Sequence, residues 1–196
     1  MTGPVVWLAR HGETEWSAAG QHTSLTDLPL TPAGEEEAVA LGKVLRSERF
    51  DLVEASPRRR AVRTAELAGF NATIDNDLAE WDYGELEGLT TDQIRANYPG
   101  WQIWYGPWPG GETAEEVAAR ADRVVQRARA LPAGAKALFF SHGHMLRVLA
   151  ARWLGQPPTS GRFFTLGTAT LSVLSWERGE PALERWNVPP SSAAAQ

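Results

Sequence analysis

VVWLARHGET, residues 5–14, is an apolar run that ends abruptly in an arginine, a histidine and a glycine. Its length and composition predict a buried strand. Ligands of open α/β sheets bind in the crevice at the carboxyl ends of the strands, so we expect Arg10 and His11 to lie at the mouth of a pocket. A neutral imidazole is a nucleophile near neutral pH, and a guanidinium beside it can hold a phosphoryl group and disfavour protonation of the ring. The stretch therefore predicts a pair that accepts a phosphoryl group.

A second stretch has the same design. ALFFSHGH, residues 137–144, runs from an apolar strand into His142 and Gly143 and is followed by a helical pattern. The chain has four histidines, and all of them fall within residues 11–22 or 142–144. Backbone N–H groups at the start of the following helix can bind a phosphate oxygen. We expect the two strand ends to serve one crevice.

Composition is that of an ordinary globular protein. The chain has 196 residues, of which 43% are hydrophobic and 22% charged, and this is enough for one substantial core. The absence of cysteine excludes disulfides, thiolate catalysis and cysteine-based metal sites. No stretch has the pattern of a signal peptide or a membrane span, so we expect a cytoplasmic location and no membrane partner.

Charge is unevenly distributed along the chain. The net charge of -5 argues against nucleic-acid binding, which needs a basic surface. Positive charge is concentrated instead at Arg58, Arg59, Arg60 and Arg63, and such a cluster suits a small anionic ligand. At helical spacing these four side chains cannot share one face, and their spacing alone does not decide which of them meets the ligand.

Alternating strand and helix patterns predict an α/β fold, a three-layer α/β/α sandwich around a mostly parallel sheet. Thr31 opens a helix that continues to about Ser47, and a capping box at Thr113 opens another that continues to about Ala130. We expect residues 1–188 to form a single domain and residues 189–196 to form a flexible tail. The other predicted elements are a loop at 14–30, strands at 51–55 and 72–74, a helix from Ser56-Pro57, helices at 91–98 and 145–154, a strand at 137–141, and late strands at 163–166, 170–176 and 183–186.

Four motifs, in order along the chain, resemble those of one protein family. They are LARHGETEW at residues 8–16, SPRRRAVRTA at 56–65, LAEWDYGELEG at 78–88 and FFSHGHMLR at 139–147. Together they resemble the histidine phosphatase superfamily, the phosphoglycerate-mutase-like phosphatases, and the similarity covers most of the chain. EWSAAGQHTSLTDLPLTPAGE at 15–35, with the third motif, is similar to the sedoheptulose-1,7-bisphosphatase branch.

The resemblance implies a role for each residue of the site. His11 is the nucleophile that forms a phosphohistidine, and Glu80 is the general acid and base. Arg10, Arg60 and His142 stabilise the charge on the phosphoryl group, which makes Arg60 the phosphate-binding member of the arginine cluster. No metal or other cofactor is implied. The expected substrate-binding residues are Ser17, His22, Thr23, Tyr83, Gly143 and Arg147.

The expected activity is metal-independent hydrolysis of phosphomonoesters, on small phosphorylated metabolites such as sugar phosphates or bisphosphates. The nearest alternative is a phosphoglycerate-type phosphomutase, but the stretch between Trp81 and His142 is too short for the long insertion typical of mutases. A phosphate-binding module without catalysis is another alternative. A metal hydrolase is a further one, with His142 and His144 as ligands beside the carboxylates of residues 80–87.

Two segments keep open interpretations. Arg147 either holds a second anionic group of the substrate or is an ordinary exposed arginine of a helix. The aromatic residues of segment 101–108 form either a small satellite core or a wall of the pocket. We also expect the chain to be capable of forming a homodimer.

Overall fold

The structure, a computed structural model, describes residues 3–190, and within this range six strands form one sheet. The strands are β1 (Val5–Arg10), β2 (Leu52–Ala55), β3 (Thr73–Ile74), β4 (Lys136–Ser141), β5 (Leu171–Glu177) and β6 (Glu180–Val188). Their order is β3-β2-β4-β1-β5-β6. The first four in this order are parallel, and β5 and β6 add an antiparallel edge. The predicted mostly parallel sheet is confirmed.

Helices cover both faces of the sheet. They are α1 (Glu15–Ala18), α2 (Pro32–Leu45), α3 (Arg59–Leu67), α4 (Thr91–Asn97), α5 (Ala114–Arg129) and α6 (Gly143–Trp153), with 3₁₀ turns at Asn76–Leu78, Gly84–Leu86 and Pro158–Phe163. Because successive side chains of a strand point to opposite faces, Val6 and Leu8 pack in one core with α5 and α6. Trp7 and Ala9 pack in a second core with α2 and α3. The three predicted layers are confirmed.

The start of α2 approaches the end of β1 very closely. Thr31 caps the helix, its hydroxyl accepting a hydrogen bond from the Gly34 amide at 3.0 Å. A β-carbon added to Gly12 would lie 2.3 Å from the carbonyl oxygen of Gly34, so this position tolerates no side chain. The glycine after His11 is therefore required for the contact between the strand end and the helix.

Among the elements whose bounds differ from the sequence-based prediction are three beside the two histidine stretches. The predicted loop at 14–30 includes α1, which Thr14 and Ser17 close with a capping box. α3 begins at Arg59 instead of at Ser56-Pro57: the Ser56 hydroxyl bonds to the ring of His142 and accepts from the Arg58 amide, and Arg58, in an extended conformation, takes the N-cap position. α6 begins at Gly143, two residues before the predicted start.

The predicted strand at 163–166 is wrong. Phe163 ends a 3₁₀ turn and is 71% exposed, and the residues after it belong to no strand. The carbonyl groups of this segment bond to side chains instead of a neighbouring strand: that of Thr165 accepts from the Trp186 indole and that of Leu166 from Arg10.

Several expectations concern more than the described residues. Of the predicted tail, residues 191–196 lie outside the described range. Among the helices of residues 3–190, none is long and apolar enough to cross a bilayer. The single-domain boundary, the cytoplasmic location and the homodimer stay predictions.

Candidate active site

The two His-Gly strand ends lie side by side. β1 and β4 are neighbours in the sheet with Arg10 opposite Ser141, so His11 and His142 both come directly after paired residues. Their ring centroids are 5.1 Å apart. A cavity of about 170 Å³ opens at this edge of the sheet. The sheet topology therefore brings the two stretches to one crevice, as their patterns predict.

Most of the predicted site residues line this cavity. They are Arg10, His11, Ser17, His22, Thr23, Glu80, Tyr83, Gly143 and Arg147. The other two, Arg60 and His142, are fully buried behind it. Four further lining residues are not among the predicted substrate contacts: Gly20, Gln21, His144 and Leu166. The sequence suggests His144 only as a metal ligand, although its place in the FSHGH motif is a signal that could have identified it.

The geometry of His11 fixes its tautomer. Its Nδ1 lies 2.7 Å from the carbonyl oxygen of Gly12, which can only accept, so Nδ1 carries the hydrogen and Nε2 is left with a lone pair. Burial, with the charges of Arg60 and Arg10, holds the pKa of His11 well below its ordinary value of 6.5. The ring is therefore neutral at neutral pH, and Nε2 is available as a nucleophile.

Arg10 is a half-buried cation with one donor that has no partner among residues 3–190. One of its terminal N–H groups donates to the carbonyl of Leu166 at 2.5 Å. Its Nε is buried, and no residue within 3–190 accepts a hydrogen bond from it. Burial lowers the pKa of Arg10, but a guanidinium stays protonated in proteins. A buried donor without a partner costs free energy, and an anion in the cavity would remove that cost.

Glu80 caps helix α6 from a distant part of the chain. Its Oε1 accepts hydrogen bonds from the amides of Trp81 at 2.9 Å and Met145 at 2.8 Å, and its Oε2 accepts one from the amide of His144 at 3.1 Å. Two of the N–H groups expected to bind phosphate at the helix start are therefore used by Glu80, and for them that prediction is wrong. Gly143, the first residue of the helix, remains on the cavity wall.

Arg60 and His142 support each other behind the cavity. Arg60 Nε donates to His142 Nδ1 at 3.2 Å, and its terminal groups donate to carbonyl oxygens of the 23–26 loop at 3.0 to 3.2 Å. Because Nδ1 accepts, Nε2 of His142 carries the hydrogen, and it donates to the Ser56 hydroxyl at 2.6 Å. Both ring nitrogens have protein partners. A contact of Arg60 or His142 with a phosphoryl group stays a prediction.

A second group of lining residues is aromatic and neutral except for one arginine. The Tyr83 hydroxyl lies 2.7 Å from Nδ1 of His144, and the His22 ring centroid lies 4.8 Å from that of Tyr83. Burial lowers the pKa of His22 to about 4 and that of His144 well below 6.5, the latter with help from Arg147. The guanidinium of Arg147 lies 4.6 Å from the centre of the Trp104 ring. Arg147 is therefore the positive member of this group.

The aromatic segment 101–108 belongs to the main core and lies behind the cavity wall. Trp101 and Trp104 are buried in the same core as Trp81 and α6, so they form no separate satellite core. The Trp104 ring also lies 5.4 Å from the ring of His144 and backs Arg147. Neither interpretation holds as stated, because the segment belongs to the main core and packs behind residues that line the cavity without lining it itself.

A metal-binding set is not formed by the described residues. Within 3–190, no three His, Cys, Asp or Glu side chains converge as ligands. The two histidines of the metal hypothesis have different partners, Ser56 and Arg60 for His142 and Tyr83 for His144. Metal independence itself stays a prediction.

A neutral histidine, an unpaired arginine donor and a carboxylate at the carboxyl end of an α/β sheet are the arrangement expected of enzymes that move phosphoryl groups. The family model of the histidine phosphatase superfamily (branch 1) matches residues 6–189. The chain belongs to this superfamily, and it is a phosphatase. The expectation drawn from the four motifs is confirmed.

Relatives and solved structures agree with this assignment. An acid phosphatase of Mycobacterium tuberculosis is 42% identical over 175 residues, which cover 88% of this chain and 86% of that protein. Sedoheptulose 1,7-bisphosphatase of Saccharomyces cerevisiae is 35% identical over 181 residues, which cover 76% of this chain and 66% of that protein. The solved structure of an open reading frame product of M. tuberculosis matches with a TM-score of 0.92 at 39% identity, covering 95% of this chain and 98% of that one.

Proposed function

We propose that the protein hydrolyses phosphomonoesters without a metal ion, through a phosphohistidine at His11. One observation carries the proposal. Arg10 and His11 line the same cavity; the neutral His11 ring keeps the lone pair of Nε2, and the Nε of Arg10 has no acceptor among residues 3–190. A phosphoryl group could interact with both groups, because its phosphorus is an electrophile for the His11 lone pair and its oxygens are acceptors for the Arg10 donor.

In the first step, Nε2 of His11 attacks phosphorus opposite to the ester oxygen. The N–P bond forms as the P–O ester bond breaks, and the protonated form of Glu80 gives its proton to the departing oxygen. Arg10 neutralises charge on the other phosphoryl oxygens, where electrostatic stabilisation contributes most to this kind of reaction. The product alcohol leaves, and Glu80 is left ionised.

In the second step, water attacks the phosphorus of the phosphohistidine. Glu80 takes a proton from the attacking water, the N–P bond breaks, and inorganic phosphate leaves with His11 neutral again. The three backbone N–H groups that hold the Glu80 carboxylate keep it beside Gly143 in both steps. One carboxyl group therefore serves as acid and then as base.

The substrates we propose are small phosphorylated metabolites such as sugar phosphates or bisphosphates. The cavity of about 170 Å³ is small, and Arg147 adds a second positive charge to its wall besides that of Arg10. A relative named sedoheptulose 1,7-bisphosphatase supports a bisphosphate. A charge-assisted contact contributes about 1.5 to 3 kcal/mol, which is about tenfold to more than a hundredfold in preference.

That substrate assignment predicts the behaviour of Arg147→Ala. The wild type is expected to prefer a sugar bisphosphate over the matching monophosphate, and the variant is expected to lose that preference while keeping its activity on 4-nitrophenyl phosphate. Competition assays on a panel of sugar phosphates, sugar acids and nucleotides measure it. A flat wild-type profile would instead describe a phosphatase of broad specificity.

The phosphohistidine is tested by trapping. Brief reaction with ³²P-labelled substrate, followed by a denaturing quench, should leave base-stable label on the wild-type protein and none on His11→Ala.

The absence of a metal requirement is tested with a chelator, which should leave turnover unchanged. Loss of turnover with chelator, restored by a divalent ion, would overturn the metal-free mechanism, and an isomeric phosphate ester as product would indicate a phosphomutase. Binding of phosphate without turnover would indicate a module that has no catalysis.

A further inference from the structure

Glu80 lies in a segment that regular secondary structure does not hold. Residues 79–83 belong to no helix or strand and connect the 3₁₀ turns Asn76–Leu78 and Gly84–Leu86. Backbone groups of such a segment need other hydrogen-bond partners when they are buried. The position of the Glu80 carboxyl group therefore depends on side chains that bind this backbone.

Arg120, in the middle of α5, supplies most of these bonds. Its terminal N–H groups donate to the carbonyl oxygens of Asp77 and Ala79, both at 2.9 Å, and of Glu80 at 3.3 Å. The same side chain binds both carboxylate oxygens of Glu112, at 2.8 and 2.7 Å. All five N–H groups of the guanidinium are used in this way.

Glu112 holds the other side of the segment. Its carboxylate accepts a hydrogen bond from the amide of Asp82 at 2.9 Å, and its backbone N–H donates to the carbonyl of Asp82 at 2.9 Å. Its own carbonyl accepts from the indole of Trp81 at 2.8 Å. Together with Arg120, it binds the backbone before, at and after Glu80.

We propose that Arg120 and Glu112 are positioning residues for the proton transfers of Glu80. The proposal rests on the role of Glu80 in the proposed function. The carboxylate reaches the amides of His144 and Met145 only while the backbone of residues 79–82 stays in place. A shift of about 1 Å at a reacting group can cost about a hundredfold in rate.

The test uses conservative variants, in which the new side chain is close in size to the original one. Arg120→Lys keeps the charge but loses the planar fork of donors, and Glu112→Gln loses the two-point ion pair. We expect each to lower kcat on an alkyl phosphate, glycerol 2-phosphate, by about 10- to 100-fold. On 4-nitrophenyl phosphate, whose leaving group needs no proton, we expect a much smaller loss and a KM near wild type.

The chain offers a matched control. Arg152 binds Asp122 through two bonds, at 2.7 and 3.0 Å, between α6 and α5, and within residues 3–190 no side-chain hydrogen bond joins either of them to the Glu80 segment. Arg152→Lys should therefore leave the ratio of the two kcat values unchanged. Thermal unfolding of all variants shows whether they are folded, and the double variant of Arg120 and Glu112 should lose less than the product of the single losses because both act on one segment.

The outcomes separate this proposal from the proposed function. Equal losses on the two substrates, or none, in Arg120→Lys and Glu112→Gln would overturn the positioning role while leaving the phosphohistidine mechanism intact, provided that Glu80→Gln still shows the leaving-group dependence. Absence of that dependence in Glu80→Gln would overturn the role of Glu80 and the positioning proposal together. Turnover by His11→Ala would overturn the mechanism itself.

Discussion

The ends of β1 and β4 have the same local design and different surroundings. Each is a buried strand followed by His-Gly, and they are neighbours in the sheet. After β1 the ring of His11 is tied through Nδ1 to the adjacent carbonyl, which leaves Nε2 with a lone pair. After β4 both ring nitrogens of His142 are bound, by Arg60 and Ser56. One histidine is equipped to react, and the other is equipped to support.

The difference comes from the element that each histidine leads into. Gly12 leads into a loop packed against the start of α2, and its own carbonyl fixes the tautomer of His11. Gly143 starts α6, so His142 takes the N-cap position and its ring turns to partners on α3 and just before it. A repeated motif therefore predicts where two side chains meet, while the next element of the chain decides which of them keeps a ring nitrogen with a lone pair.

The largest expected effect concerns the two histidines themselves. His11→Ala removes the nucleophile and should lower kcat on 4-nitrophenyl phosphate by about 10⁴-fold or more. His142→Ala leaves the nucleophile and should cost about 10- to 1000-fold, through a displaced Arg60. Steady-state kinetics of the two variants, with circular dichroism as a check on folding, measure the contrast. Losses of equal size would remove the distinction between a reacting and a supporting histidine.

Glu80 connects the second strand end to the reaction, since its carboxylate caps the helix that begins after His142. Glu80→Gln cannot give or take the proton and should lower kcat on an alkyl phosphate by about 10² to 10⁴. An activated aryl phosphate should lose less, because its leaving group departs unprotonated. Equal losses on both substrates would indicate that Glu80 only shapes the cavity.

Local sequence patterns are sufficient to predict most strands of the sheet and the proximity of His11 and His142. An apolar run that breaks at His-Gly indicates a strand end, and a threonine followed by proline indicates the start of α2, because both signals involve adjacent residues. The late strand predicted at 163–166 is wrong for the opposite reason. Its backbone bonds to Trp186 and Arg10, which are distant in sequence.

The site depends, even more than that segment does, on contacts between residues that are far apart in the sequence. The motif with Glu80 indicates a carboxylate, but its amide partners lie 64 and 65 residues further along the chain. Nothing near Arg120 in the sequence marks it as a partner of that motif. His144 escapes prediction as a lining residue because only the fold turns it toward Tyr83. Patterns identify chemical groups, and the topology decides their partners.

Acid should destabilise the protein through both strand ends. The pKa values of His11 and His142 are held well below 6.5, in each case by burial and next by Arg60. Below pH 6.5 the unfolded chain takes up protons on these rings and the folded protein does not. The free energy of unfolding therefore decreases as the pH is lowered below 6.5, and these rings no longer make it depend on pH above that value. Each ring contributes up to about 1.4 kcal/mol per pH unit.

Urea unfolding at pH 7.5, 6.5 and 5.5 measures this slope. His142→Asn, which cannot titrate, should have a slope between pH 6.5 and 5.5 that is lower by up to about 1.4 kcal/mol per unit, whatever its stability at neutral pH. The comparison is of slopes, so an overall destabilisation does not affect it. An unchanged slope would mean that the His142 ring titrates alike in the folded and unfolded chains.

The smallest expected effect comes from removing one partner of the supporting histidine. Ser56→Ala deletes the acceptor of His142 Nε2–H and leaves a buried donor unpaired, at a cost of about 1 to 3 kcal/mol in the free energy of unfolding. Since Arg60 still binds Nδ1, kcat on 4-nitrophenyl phosphate should fall by only about two- to tenfold, as about 1 kcal/mol of positioning implies. Ser172→Ala is the matched control, because its buried hydroxyl accepts from the Asn187 amide at 3.0 Å without touching a histidine. It should lose stability and keep its rate. If Ser56→Ala keeps the wild-type rate as well, the bond to Ser56 has no part in the support that His142 gives.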